Sequence, residues 1–174
     1  MNKIVVLTSV FPFEVVGENF FESELEALSK SFDEVCILAV DRYKKSKIKK
    51  SLPKNCKAFS IGRGSVYVDF LLGAVKMPFC PFFYRELGEI KRQNKKFLPA
   101  LKRLFYCGSY YLGICSRLPK AIKKLELKKE DKIVILSYWL HYTAEAALKL
   151  KGLLKRDDIK VYSRAHGSAD VLNL

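Results

Sequence analysis

Three short segments concentrate the side chains that can bind or react. Ser163-Arg164-Ala165-His166-Gly167-Ser168-Ala169-Asp170 brings a guanidinium, an imidazole and a glycine together directly after a β-branched run. An imidazole titrates near neutrality, and one set between a cation and a glycine at a strand end is a better candidate than a lone histidine. His166 and Asp170 stand four apart and could face one metal, but two ligands are too few, so no metal is expected. Tyr138-Trp139-Leu140-His141-Tyr142 holds the sole tryptophan and the other histidine. Aromatic faces beside polar tips suit sugar rings or bases; equally, Trp139 and Tyr142 can cap a core with their polar atoms bonded. The third segment is Phe11-Pro12-Phe13-Glu14-Val15-Val16-Gly17-Glu18-Asn19. Gly17 lets backbone approach a ligand, and a helix behind it offers free N–H groups that favour a phosphate. On residues alone the blander alternative has the better support: a glycine that tightens a turn, with Glu18 in the first helical turn answering the dipole.

These segments need elements to hold them. Lys3–Thr8, Glu34–Val40 and Lys132–Ser137 are short apolar runs of the kind found in buried parallel strands, and Ile159–Ser163 is another strand. Phe21, Leu25, Leu28 and Phe32 fall on one face of a helix that starts near Glu18, with Glu22, Glu26 and Ser29 opposite. Thr143–Leu154 is a second amphipathic helix with Ala144, Ala147, Leu150 and Leu154 inward. Ala58–Ile61 is a short third strand. Strands alternating with helices at both ends predict an α/β fold, a Rossmann-like open, mostly parallel sheet flanked by helices. In such a sheet ligands bind beyond the carboxyl ends of the strands, where all three segments fall.

Between the two ends the pattern changes. Arg42 to Lys57 carries eight basic residues and no acid, which reads as a solvated loop or a strongly basic face. Residues 66 to 84 are rich in aromatics. Residues 85 to 129 hold 13 basic and 3 acidic residues with helical spacing, broken at Pro99 and Pro119. The chain thus reads as one domain over 1–174 with a basic helical insertion around 66–129.

Composition bounds the rest. With 49% hydrophobic and 29% charged residues the chain is globular rather than disordered. No uncharged stretch reaches the roughly 18 residues of a spanning helix, and Ile4–Leu7 is too short for a signal-peptide core. Five cysteines at irregular spacing form no disulfide framework and no zinc pattern, so reduced thiols in a cytoplasmic protein are expected. There is no Walker loop, no G-x-S-x-G, no H-E-x-x-H and no D-x-D; Ile61-Gly62-Arg63-Gly64 lacks the third glycine of a dinucleotide fingerprint. A net charge of +14 asks for an anionic partner: nucleic acid, anionic lipid or a phosphorylated substrate.

Taken in order, the three segments resemble the N-terminal domain of bacterial glycosyltransferases of family 4. The opening match is Phe11-Pro12 through Gly17-Glu18-Asn19-Phe20, then Glu24 and Leu25. Ser137-Tyr138-Trp139 with Ala144 and Ala147 is similar to a later strand and helix of that domain, and Ser163-Arg164-Ala165-His166-Gly167 to the family's histidine loop. The resemblance implies one half of a GT-B fold and retaining transfer of a hexose from a nucleotide-sugar to a polysaccharide or lipid-linked acceptor, with no metal or other cofactor. It implies that His166 lies at the donor sugar, and that Gly17, Glu18, Asn19, Tyr138, Trp139, His141, Arg164 and Gly167 line the substrate. Two departures stand out. The donor-binding second domain with its glutamate pair is expected to be missing, leaving a truncated or split form that is inactive alone; Glu18 and Glu26 share the pair's spacing but read as a solvated helix face. Asp170 is out of register with the family. Implied partners are the nucleotide-sugar, the acceptor, an anionic membrane surface on the cytoplasmic side, and a C-terminal domain as a separate chain. A non-catalytic remnant that binds an acceptor or partner, and a basic nucleic-acid-binding module, are the alternatives; no nucleic-acid-binding signature accompanies the charge.

Overall fold

The computed structural model describes residues 1–13, 18, 20–40, 47–61, 66–93, 96–140 and 142–165, and only the backbone of 66–69 and 142. Strands β1 (Asn2–Thr8), β2 (Glu34–Ala39), β3 (Cys56–Ser60), β4 (Lys132–Ser137) and β5 (Lys160–Ser163) form one sheet in the order β3-β2-β1-β4-β5. Every pairing is parallel. Helices α1 (Phe21–Ser31), α2 (Val66–Lys76), α3 (Pro81–Arg92), α4 (Phe97–Cys115), α5 (Leu118–Lys124) and α6 (Tyr142–Leu154) flank it, with a 3-10 turn at Met77–Phe79. This is the Rossmann-like α/β sheet that the alternating runs predict.

The strand period of two sorts the core onto two faces. Val5 and Leu7, Cys36 and Leu38, Ile133 and Ile135 point to one side, where Ile114, Leu118, Ala121, Ala146, Ala147 and Leu150 of α4–α6 meet them. Ile4 and Val6, Val35 and Ile37 point to the other, against Phe21 and Leu25 of α1. β1 and β2 are therefore buried on both sides, which is why they read as unbroken apolar runs. The inward face of α6 is Ala146, Ala147 and Leu150, with the half-buried Leu154 packed against the same core as expected; Ala144 is only half-buried.

From β1 the chain winds outward to β2 and β3, then returns through α2–α5 to the other side of β1. The strand order reverses between β1 and β4, and that switch point opens the crevice where open α/β sheets bind ligands. The helical stretch does break at Pro99 and Pro119: α3 gives way to α4 and α4 to α5 just before them, so that each proline lies in the first turn of the next helix, and Pro81 opens α3. An N–H is dispensable in a first turn, so proline is tolerated there.

At the opposite end of the sheet sits a buried charge network. Lys3, only 4% exposed, sends its ammonium to Glu34 at 2.8 Å, Asp131 at 3.1 Å and the Glu126 carbonyl at 3.3 Å. Asp131 also accepts the Lys128 N–H at 2.9 Å and faces the chain's amino terminus at 3.3 Å. That backbone N–H, with Lys3 and the terminus assisting against burial, holds the Asp131 carboxyl at about 2. Burial lowers the Lys3 pKa, but bonds to Glu34 and Asp131 outweigh it and the net shift is upward.

Of the described basic residues in the run, Lys47, Lys49, Lys54 and Lys57 are exposed, as the solvated reading expects. The Lys50 side chain, 8% exposed, is the exception: it pairs with Glu22 at 3.0 Å and lies 5.4 Å above the Phe11 ring. Lys57 pairs with Glu34 at 2.7 Å. Arg42 to Lys45 lie outside the described residues.

Candidate functional site

The crevice at the switch point is built from the loops after β1 and β4, the start of α1 and the residue after β5. Glu18 organises it. The sequence reading places Glu18 on a solvated helix face or against a ligand; the structure corrects the first placement. α1 begins only at Phe21, and Glu18 lies before it, 6% exposed, with φ at 51°. Its side chain turns back under the end of β1. One carboxylate oxygen accepts the Ser9 N–H at 3.0 Å and the Trp139 indole N–H at 2.6 Å. The other accepts the Val10 and Phe11 N–H groups at 2.9 and 2.8 Å. Successive backbone N–H groups of this kind make an anion nest, and here the protein's own carboxylate fills it.

The loop after β4 is equally constrained. The hydroxyls of Ser137, Thr143 and Ser163 converge on the Trp139 carbonyl at 2.7, 2.9 and 3.2 Å. Tyr138, expected to line the substrate, is instead a core residue with no exposed surface, packed edge-on against Phe21 with ring centroids 4.6 Å apart. Burial, then the nearby Glu24 carboxylate, push its hydroxyl well above the usual phenol range. Trp139 shows both open readings at once: its indole nitrogen is bonded inward to Glu18, while its ring is only half-buried.

Phe20 and Glu24, which belong to the resemblance but are not assigned to the substrate, complete the surface. Phe20 stacks on Tyr138 at 5.6 Å, meets Trp139 edge-on at 6.0 Å, and remains 48% exposed. Leu140 is exposed beside them. Glu24 accepts the Tyr138 hydroxyl at 3.3 Å and forms an ion pair with Arg164. The Arg164 guanidinium lies 5.7 Å from the Tyr138 ring centroid. The signal for Glu24 was its position one turn after Phe20 on the helix that faces β4, which has meaning only once the strand order is known.

Arg164 and Trp139, far apart in sequence, thus meet on one rim with Glu24 and Phe20. Gly17, Asn19, His141, His166, Gly167 and Asp170 lie outside the described residues. Among the described residues no three His, Cys, Asp or Glu side chains gather as a metal site. The five cysteines are free thiols; Cys36 and Cys56 are buried, Cys80 and Cys115 half-buried and Cys107 exposed. Burial pushes the Cys36 thiol up to about 11. Among the described residues no helix is long and apolar enough to cross a membrane.

Comparison with protein-family models, with curated proteins and with solved structures gives no match to this chain.

Proposed function

We propose that this chain is the acceptor-side half of a GT-B glycosyltransferase resembling family 4, transferring a hexose from a nucleotide-sugar to a polysaccharide or lipid-linked acceptor. The observation that carries the reading is the rim at the switch point. Phe20 and the half-buried Trp139 offer apolar ring faces, and the Glu24–Arg164 pair beside them offers a carboxylate and a guanidinium. A flat apolar face bordered by charged hydrogen-bonding groups is what a sugar ring needs, since its C–H faces stack and its hydroxyls bond at the edge. In this reading the donor binds to a second domain outside these 174 residues. His166 then acts at the donor sugar by positioning and charge stabilisation, and the leaving diphosphate helps to take the acceptor proton.

One observation favours a second reading, a glycan-binding chain without catalysis of its own. The nest after β1, where a phosphate would be held, is filled by the Glu18 carboxylate.

Trp139 is the single tryptophan, so its fluorescence reports the rim directly. Titration with a gluco- or manno-oligosaccharide is expected to give a saturable change that Phe20→Ser abolishes. Silence toward oligosaccharides, together with salt-sensitive binding of single-stranded DNA, would replace the reading with a nucleic-acid module. With the oligosaccharide response in place, both forms predict no response of this chain alone to uridine diphosphate glucose, so activity with an added donor domain separates them. Turnover of the nucleotide-sugar with that domain, lost in His166→Ala, is expected only of the enzyme.

A further inference from the structure

The two faces of the sheet are covered unequally. Helices α4, α5 and α6 pack on one face against β1, β2 and β4. On the other, Phe21 and Leu25 of α1 meet β1 and β2, while Val134 and Leu136 of β4 stay half-buried and Tyr162 of β5 is exposed. Beside the C-terminal end of α1 this opening deepens into a cleft of about 490 Å³, lined by Asn2, Ser31, Phe32, Lys132, Val134 and Lys160 among others. Asn2, Lys132 and Lys160 are the first residues of β1, β4 and β5, so the cleft lies at the opposite ends of the strands from the crevice. Its volume falls within the roughly 300–1,000 Å³ of small-ligand sites.

The groups around the cleft select the ligand. Lys132 stands two positions before Val134, and Val134 is the register partner of Lys160, so strand alternation puts both ammonium groups and the Val134 side chain on this one face. Neither lysine has an acid or a hydrogen-bond partner among the described residues, and neither has the Asn2 carboxamide. The nearby acids are occupied: Arg156 takes Asp158 with two bonds at 2.5 and 3.0 Å, and Asp33 accepts the Asn2 backbone N–H at 2.7 Å. Two uncompensated ammonium groups on neighbouring strands, with an amide beside them, match a phosphate dianion. Phe32 and Val134 add an apolar floor, which gains only if the ligand also carries an apolar body.

We infer that this cleft binds a small phosphate ester, its apolar body on Phe32 and Val134 and its phosphate on Lys132, Lys160 and Asn2. The site shares no residue with the rim of Phe20, Trp139, Glu24 and Arg164, so it stands or falls separately from the sugar-binding reading.

The test is isothermal titration calorimetry of the whole chain with 4-methylumbelliferyl phosphate, whose flat bicyclic body suits the floor. One saturable site is expected. The double variant Lys132→Gln, Lys160→Gln changes exposed residues only, so its circular dichroism should match the parent. Its affinity should fall at least about tenfold, since the charge-assisted bonds to the phosphate are lost. Lys123→Gln, Lys124→Gln on α5 removes the same charge from the opposite face and should bind like the parent. Inorganic phosphate should bind the parent at least about tenfold more weakly than the ester, because it leaves the floor wet. Equal weakening in both double variants would assign the binding to net charge and overturn the inference. Undiminished binding by the cleft variant would place the ester elsewhere, and no binding by the parent would refute the site outright. Inorganic phosphate as tight as the ester would overturn the role of the apolar floor.

Discussion

Replacing Glu18 tests the central claim about the crevice, that one buried carboxylate ties the loop after β1 to the loop after β4. Its two oxygens accept four N–H groups, three from Ser9, Val10 and Phe11 and one from the Trp139 indole, all between 2.6 and 3.0 Å. Hydrogen bonds to a charged group contribute roughly 1.5–3 kcal/mol each, though not additively. Removing the carboxylate leaves these neutral N–H groups without an acceptor, at about 1–3 kcal/mol for each that stays buried. Phe20 and Trp139 leave the rim partly open to water, so the lower end applies and Glu18→Ala should cost about 3–4 kcal/mol. Glu18→Gln keeps one acceptor oxygen but turns an amide N–H₂ toward backbone N–H groups, so about 2 kcal/mol is expected. Glu18→Gly should cost about 1 kcal/mol less than Glu18→Ala, because the left-handed φ of 51° strains every residue except glycine. Urea unfolding followed by Trp139 emission and by circular dichroism measures all three variants, and the folded-state emission should shift as the indole loses its carboxylate. A glutamine variant within about 0.5 kcal/mol of the parent, with unchanged Trp139 emission, would refute the reasoning.

Acid stability should depend on Asp131. Its folded pKa of about 2 lies below the ordinary 3.8, so its contribution is present above 3.8 and disappears as the pH falls through about 2. Asp131→Asn should flatten the fall in melting temperature over that window, and parallel curves would contradict the assignment. At the α2–α4 crossing, Gly73→Ala would place a Cβ 2.5 Å from the Ser109 carbonyl oxygen, a backbone atom, and should destabilise by about 1–3 kcal/mol. Gly108→Ala meets only the flexible end of Met77, with Cε at 2.4 Å, and should cost clearly less in the same thermal melts; equal costs would refute the crossing geometry. Ser109 buries a hydroxyl with no hydrogen-bond partner among the described residues, so Ser109→Ala should be neutral or stabilising by up to about 1 kcal/mol. A clear loss of stability in chemical denaturation would show that the hydroxyl is bonded.

The parallel strands and the two amphipathic helices were legible because their signals are local. An unbroken run such as Ile4-Val5-Val6-Leu7 suits only a strand covered on both sides, and the spacing of Phe21, Leu25, Leu28 and Phe32 suits only a helix with one inward face. Pro99 and Pro119 marked the breaks between α3, α4 and α5, but proline reports a boundary without saying which side of it becomes helix, and both lie just inside the following helix. Glu18 was misplaced for a related reason. It stands close enough to the helical pattern to pass for a first-turn acid, but α1 begins only at Phe21 and the Glu18 carboxylate bonds the N–H groups that follow β1 instead.

Sequence by itself determined the class of fold, the basic character of the returning helices and the three segments that border the strand ends. These follow from side-chain period and charge, which need no knowledge of distant neighbours. The tertiary structure alone decided which polar groups meet. Glu18 and Trp139 are 121 positions apart and Glu24 and Arg164 are 140 apart. The strand order β3-β2-β1-β4-β5 brings them to one rim, because placing β4 beside β1 is a packing choice made by both faces of the sheet together. The same packing carries Tyr138 into the core and leaves Phe20 at the surface. Burial, more than residue type, therefore separates the aromatic that supports the crevice from the one that a ligand can touch.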